Sequence, residues 1–113
     1  MSKLLTKQFE FAEDVGKLLT WLYDSGYTVT FGEALRTPEQ AAIYAKKGIG
    51  ISNSLHTIKL AIDLNLFKEG RWLTRTMEYR AAGEYWESLR DGNSWGGWFN
   101  DGNHFSREHE GVR

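Results

Sequence analysis

Apolar and polar residues alternate along one stretch near the middle of the chain. Across residues 60–67 every even-numbered position is leucine or isoleucine, whereas the odd-numbered positions include Asp63 and Asn65. This period of two predicts a half-buried strand with one face in a core. Asp63 lies in the most apolar segment of the chain, where an ionised carboxylate is costly unless something positive neutralises it. The pattern therefore predicts a positively charged partner for Asp63.

Apolar residues recur at helical spacing in two longer stretches. Over Lys3–Asp24 the spacing predicts a long helix, and Gly26 suits its C-terminal cap because glycine tolerates positive φ. Residues 76–89 predict another helix. A shorter helix is predicted from Thr37, a suitable N-cap followed by proline, to about Lys47.

Further strands are predicted where β-branched and aromatic residues cluster. These are Tyr27–Phe31, residues 71–73 after a hairpin turn at residues 68–70, and the aromatic, glycine-containing residues 95–99. Residues 48–54 predict a flexible loop before the central strand. We therefore predict an α+β fold, a small antiparallel sheet with helices packed on one side and a functional site on the open face.

Composition narrows the possible classes of function. The 113 residues predict one domain, residues 1–113, and 41% apolar with 26% charged residues are ordinary globular values. A net charge of -1 without a Lys/Arg cluster disfavours nucleic-acid binding. No stretch has the apolar length of a signal peptide or a membrane span, so we expect a cytoplasmic protein without membrane insertion. We also expect a monomer.

Two histidines occupy positions from which their side chains can converge with Asp63 on one site. His56 is seven positions upstream, which predicts a place in the turn before the strand, and His104 follows the turn-forming Asp101-Gly102-Asn103. Because the chain has no cysteine, any metal site must use histidine and carboxylate ligands. Two histidines and one carboxylate are a recurrent ligand set for catalytic zinc, and a further carboxylate is the usual general base.

These residues also carry a family resemblance. Ser54-x-His56, then Ala61-x-Asp63 and Asp101-x-x-His104, resemble the signature of the zinc peptidases that include the VanX and VanY D-alanyl-D-alanine peptidases and phage L-alanyl-D-glutamate endolysins. The resemblance extends over about residues 28–105. It implies a hedgehog/D-alanyl-D-alanine peptidase-like fold and a Zn²⁺ cofactor.

The resemblance also implies roles for individual residues. It makes His56, Asp63 and His104 the zinc ligands, Asp101 the catalytic base and Arg36 a substrate contact. The family usually has glycine three residues after the first histidine, and here Lys59 stands there. The lysine ammonium would weaken zinc binding by charge repulsion unless its long stem carries it to solvent.

The implied function is a zinc-dependent peptidoglycan peptidase that cleaves the stem peptide. We favour an L-alanyl-D-glutamate endopeptidase because a small, single-domain chain without a signal peptide resembles a bacteriophage lysis enzyme, which would act on the cell wall after release. A D-alanyl-D-alanine carboxypeptidase is the alternative. Two other classes stay open: a zinc-binding module without activity, as in related hedgehog-type domains, and a metal-free phage structural or interaction protein.

Some residues keep more than one interpretation. Ser54 either orients His56, touches substrate or only forms a turn. Without the resemblance, the simpler interpretation of Arg36 is a surface arginine or the salt-bridge partner of Glu33 or Glu39. The tryptophans of residues 95–99 either pack in the core or line a substrate groove. His109 could replace a ligand, but its charged neighbours predict an exposed side chain.

Overall fold

Helices and strands alternate through the computed structural model, which describes residues 2–51 and 53–113. The helices are α1 (Lys3–Asp24), α2 (Pro38–Lys46) and α3 (Arg80–Leu89). The strands are β1 (Tyr27–Phe31), β2 (Ala61–Lys68), β3 (Arg71–Trp72), β4 (Asn93–Trp95) and β5 (His104–Arg107). Three 3₁₀ turns lie at Leu55–Ile58, Thr76–Tyr79 and Gly96–Phe99. The predicted loop at residues 48–54 includes Ser52, which lies outside the described residues.

The strands form an antiparallel sheet in the order β1-β2-β5-β4, and β3 also pairs with β2. β2 occupies the centre, and its Leu64 and Leu66 are completely buried. They belong to one core with Leu18 of α1 and Trp86 of α3, so both helices cover the same face of the sheet. The predicted α+β architecture is confirmed.

Local signals place the helix ends where the sequence predicts them. The Ser2 hydroxyl caps α1 by accepting from the backbone N–H of Leu5 at 3.0 Å, and Gly26 beyond the other end has a φ of 89°. The Thr37 hydroxyl accepts from the N–H of Gln40 at 3.1 Å and starts α2. Each cap satisfies a backbone group that the helix leaves without a partner.

The third predicted helix is divided in two. Residues 76–79 form a 3₁₀ turn, and α3 begins only at Arg80. The Tyr79 hydroxyl donates to the carbonyl of Leu73 at 2.7 Å and accepts from the N–H of Leu66 at 3.1 Å. These bonds hold the first turn against β2, so α3 takes a separate path.

The prediction of a strand over residues 95–99 is wrong. β4 ends at Trp95, and Gly96–Phe99 is a 3₁₀ turn that ends at Asn100 with a φ of 60°. Gly96 and Gly97 permit this tight path, because a Cβ on Gly97 would overlap the Trp95 ring. The strand that follows, β5, was not predicted.

An ion-pair cluster ties α1 to the end of α3. Asp14 is completely buried, and its carboxylate accepts from Arg90 Nε at 2.8 Å and Nη2 at 3.2 Å. Asn93, the first residue of β4, donates its side-chain amide to the same carboxylate at 3.2 Å. The hydrogen bond to Asp14 raises the pKa of Arg90, which keeps this cation charged.

Across residues 2–51 and 53–113, no helix combines the length and the apolar character needed to cross a bilayer.

Candidate active site

His56 is held by its own turn and by the backbone of a neighbouring segment. It lies in the 3₁₀ turn Leu55–Ile58, where the Ser54 hydroxyl accepts from its backbone N–H at 3.2 Å. Its side chain is buried, and Nδ1 lies 3.3 Å from the carbonyl oxygen of Ala34. Because a carbonyl can only accept, Nδ1 carries the proton in that bond. The neutral ring therefore presents Nε2 to a metal, whereas the charged ring donates from Nε2 to Asp63.

Asp63 and His104 are brought together by strand pairing. They are direct partners in the antiparallel register of β2 and β5, so their side chains project from the same face. Asp63 Oδ1 lies 3.4 Å from His104 Nδ1 and 3.4 Å from His56 Nε2. Ligand atoms from all three residues lie within 4.8 Å of one another. The predicted partner of Asp63 is thus a pair of histidines.

This donor set fits a zinc ion. Two imidazole nitrogens and one carboxylate oxygen are the donors of many catalytic zinc sites, and three protein ligands leave one position open. The Ala34 carbonyl fixes His56 in the orientation that ligating histidines need. His56, Asp63 and His104 are therefore the residues that could hold the metal.

The three side chains also stabilise one another electrostatically. Burial alone would raise the pKa of Asp63, but hydrogen bonds from His104 and His56 outweigh it and lower that pKa to about 2. Burial opposes the charged form of His56, yet the hydrogen bond and negative charge of Asp63 raise its pKa. The pocket thus carries negative potential at the point where the two imidazoles converge, which favours a cation.

Asp101 lies in the wall of the same cavity, which has a volume of about 640 Å³ and is also lined by the three candidate ligands. Two backbone hydrogen bonds fix the Asp101 turn. The Asp101 N–H donates to the Gly96 carbonyl at 2.9 Å, and the His104 N–H donates to the Asp101 carbonyl at 3.2 Å. A Cβ on Gly96 would overlap the Asp101 carbonyl oxygen and lie 2.7 Å from His104 Cβ. Gly96 therefore permits the approach of Asp101 to the ligands.

Burial raises the pKa of Asp101, and the nearby negative charge of Asp63 raises it further, although His104 works in the opposite direction. A carboxylate with a raised pKa accepts a proton more readily than one with the ordinary pKa. Asp101 therefore combines a place in the wall of the ligand cavity with a raised pKa.

Arg36 is the partner of Glu33, as one of its interpretations predicts, and it also lies at the cavity wall. Its guanidinium pairs with Glu33, with Nε 2.6 Å from Oε1, and its carbon Cζ lies 5.0 Å from the centre of the Tyr44 ring. It also lines the cavity, and its backbone N–H donates to the His56 carbonyl at 3.0 Å. The ion pair and the stacking hold the guanidinium in place at the cavity wall.

The structure also places Ser54 and the tryptophans of residues 95–99, which had more than one interpretation. Ser54 caps the His56 turn and lines the cavity, so the turn-forming interpretation is observed. Trp95 is buried in the core, whereas Trp98 is 55% exposed and donates to Glu87 at 2.9 Å. Among the described residues that line the cavity, the aromatic side chain is Phe99, not a tryptophan.

The expectation for His109 is wrong, and the condition attached to Lys59, a side chain that extends into solvent, is met. His109 is half-buried, not exposed, because its Nδ1 lies 3.3 Å from Lys7 Nζ and its backbone forms a bridge with Val112. It is not part of the ligand cluster. Lys59 is exposed and has a φ of 60°, so what the usual glycine provides here is backbone freedom.

Sequence reasoning missed the Ala34 carbonyl that accepts from His56, whereas it names Glu33 as one of two possible partners of Arg36. It also missed Phe99 and Arg113, whose guanidinium carbon lies 4.7 Å from the centre of the Phe99 ring at the cavity wall. A backbone carbonyl leaves no trace in the residue pattern. The positions of Phe99 and Arg113 depend on the turn that was predicted as a strand.

Comparison with known proteins decides the family. A family model described as D-alanyl-D-alanine carboxypeptidase matches residues 47–107, more than half of the chain and the part that contains His56, Asp63, Asp101 and His104. The chain belongs to this family.

As a member of the D-alanyl-D-alanine carboxypeptidase family, the chain is a metallopeptidase, a hydrolase that acts on peptidoglycan. Its fold is similar to the crystal structure of the L-Ala D-Glu endopeptidase ChiX of Serratia marcescens, with a TM-score of 0.67 and 18% sequence identity. That match covers 88% of this chain and 78% of the other. No protein with curated annotation matches the sequence.

Proposed function

We propose that this peptidase is zinc-dependent and cleaves the stem peptide of peptidoglycan between L-alanine and D-glutamate. The observation that carries the proposal is the convergence of His56, Asp63 and His104 with Asp101 and Arg36 in one cavity. A zinc ion, when bound, polarises the scissile carbonyl and makes water more acidic. The remaining chemistry belongs to side chains of the chain.

Asp101 acts as the general base and then as the general acid. Its carboxylate takes a proton from the attacking water as the new carbon–oxygen bond forms, and it returns the proton to the leaving amine as the carbon–nitrogen bond breaks. The raised pKa of Asp101 suits both transfers, because the group gains and loses a proton within one turnover. The backbone bonds to Gly96 and His104 fix the turn that carries it, which supports a constant position at the cavity wall.

Arg36 binds a carboxylate of the substrate. A guanidinium has five N–H donors, and the contacts with Glu33 use the Nε and Nη2 side of the fork. The other donors stay available, and a guanidinium is well suited to a planar carboxylate. In the stem peptide, the α-carboxylate of D-glutamate lies next to the bond that is cut.

Three alternatives predict a different product, no product or no metal. The family description favours a D-alanyl-D-alanine carboxypeptidase, which would release only terminal D-alanine. A zinc-binding module without activity would give Asp101 no function, although Asp101 lines the same cavity as the ligands and has a raised pKa. A structural or interaction protein of a phage would hold no metal.

Digestion of purified peptidoglycan tests the proposal. The zinc-loaded protein should release fragments whose mass shows a free amino group on D-glutamate, and release of D-alanine alone would support the carboxypeptidase instead. Asp101→Ala should lower the rate by about 10²–10⁴-fold, the usual contribution of a general base. Asp24→Ala, which removes an exposed carboxylate at the end of α1, is the control and should keep full activity.

Metal analysis tests zinc dependence separately. Protein purified without added zinc should contain about one zinc per chain, as expected for one site with three protein ligands. Replacement of both His56 and His104 by alanine should abolish this metal content. A metal-free wild-type protein would contradict the proposal.

A further inference from the structure

A second cavity lies on the other side of the Asp101 turn. It has a volume of about 280 Å³, and its wall includes Asp101, Asn65, Asn103 and Trp72. Because Asp101 lines both cavities, the second one meets the first at the proposed general base. A substrate positioned for proton transfer at Asp101 can therefore extend in two directions.

The two cavities differ in charge. Among the described residues that line the second cavity, Asp101 alone is charged, and the other polar ones are neutral: Asn65, Asn100, Asn103, Thr74, Thr76 and Tyr79. The first cavity contains two arginines, Arg36 and Arg113. Neutral amides and hydroxyls are both donors and acceptors and suit hydroxyl and acetamido groups, whereas guanidinium groups suit carboxylates.

Trp72 gives the second cavity an aromatic wall. Trp72 in β3 is the direct partner of Phe67 in β2, so the two side chains lie on the same face of the sheet. Alternate residues of a strand share a face, so this is also the face of Asp63 and Asn65. At about 3.3 Å per residue the distance from Asp63 to this aromatic position is roughly 13 Å along the strand. Trp72 is 55% exposed, so its ring is open to a ligand.

The amides of the cavity are also available. The side-chain oxygen of Asn65 accepts from the Asn103 amide at 3.4 Å, a long and weak bond. Within the described part of the chain this is the one side-chain hydrogen bond recorded for either residue. Each asparagine therefore keeps donor or acceptor capacity for a ligand.

We propose that the second cavity is a subsite for the N-acetylated sugar that precedes the stem peptide. The apolar C–H face of the sugar stacks on Trp72, and its hydroxyl and acetamido groups bond to Asn65 and Asn103. This inference rests on the proposed function. The stem peptide has a neutral sugar on the amino side of L-alanine and carboxylates beyond D-glutamate. This matches a second cavity of neutral amides and hydroxyls and a first cavity that offers the guanidinium groups of Arg36 and Arg113.

Two substrates test the subsite: the stem peptide alone, and the same peptide with an N-acetylmuramyl group on L-alanine. The zinc-loaded protein should cleave the second with a kcat/KM about tenfold higher, the effect of one or two added contacts. Trp72→Ala and Asn65→Ala should each lower that ratio by about fivefold. Trp98→Ala, at a tryptophan of the same 55% exposure outside both cavities, should leave the ratio unchanged.

Equal rates on the two substrates, or an unchanged ratio in Trp72→Ala, would overturn the subsite while the peptidase proposal stands. If neither substrate is cleaved, the proposed function fails and binding decides the subsite. The probe is then the N-acetylglucosaminyl-N-acetylmuramic disaccharide with its lactyl carboxyl group capped as an amide. A titration followed by NMR should shift the Trp72 indole signal more than that of Trp98, and the absence of any such difference would overturn the inference.

Discussion

The buried ion pair of Asp14 and Arg90 offers a direct comparison between a buried and an exposed acid on the same cation. Asp14 is completely buried and meets two guanidinium nitrogens of Arg90, whereas Glu13 meets Arg90 Nη2 at 3.0 Å with a side chain that is 62% exposed. Asp14→Ala leaves the Arg90 guanidinium and the Asn93 amide without their shared acceptor. Glu13→Ala removes a contact that water can replace.

Asp14→Ala should therefore lower the free energy of unfolding much more than Glu13→Ala does. Removal of one partner from a fully buried pair typically costs about 3–5 kcal/mol, but the Arg90 side chain is 26% exposed and keeps Glu10 and Glu13 as partners, so we expect Asp14→Ala to cost about 1–3 kcal/mol. An exposed pair contributes about 0–1 kcal/mol. A domain of this size has a free energy of unfolding of roughly 5–15 kcal/mol, so the loss in Asp14→Ala is measurable. Glu13→Ala should be nearly neutral.

Urea denaturation of both variants in the presence of a chelator measures the difference, because bound metal would add its own stabilisation. The m-values should match that of the wild type, so that midpoints report stability alone. Equal losses in the two variants would show that burial does not set the strength of this cluster. A loss below about 1 kcal/mol for Asp14→Ala would refute the reasoning altogether.

Three further predictions concern the site itself. In the metal-free protein, Asp63 stabilises the fold above its unfolded pKa of 3.8 and loses that contribution as the pH falls toward about 2. The free energy of unfolding, measured between about pH 5 and pH 2, should therefore fall by about 2 kcal/mol through this group. The same measurement on Asp63→Asn should lack this decrease. Gly96→Ala should lower peptidase activity by at least about tenfold through displacement of Asp101, whereas Gly16→Ala, in open space on α1, should leave activity unchanged. Lys59→Gly should raise the free energy of unfolding by up to about 1 kcal/mol, seen as a higher denaturation midpoint, because Lys59 has a φ of 60° that glycine adopts without strain. A destabilised variant would contradict this explanation.

The central part of the site could be predicted because it is local in sequence and unusual in chemistry. Asp63 stands out as a charge on an apolar strand, and the His56 turn and the Asp101 turn carry their own motifs. Strand pairing then brings Asp63 and His104 together, which follows from neither segment alone. The roles of these residues are what the experiments above test.

Other features depend on tertiary contacts that leave no pattern. β5 is only four residues long and two of them are charged or titratable, so its pairing with β2 and β4 supplies most of the reason for a strand. The aromatic residues 95–99 resemble a strand, but Gly96 and Gly97 are present for close packing. The second cavity arises where β3 and the Asp101 turn meet across the sheet.

Because Asp63 and His104 face each other across two strands, sheet assembly and metal binding depend on the same alignment. If β5 slipped by one residue against β2, Phe105 would leave the core and the His104 imidazole would turn to the opposite side. A cation that requires both side chains therefore stabilises only the correctly aligned sheet. For the proposed zinc ion, affinity then reports whether the chain has folded correctly, and zinc added during refolding should raise the yield of native protein.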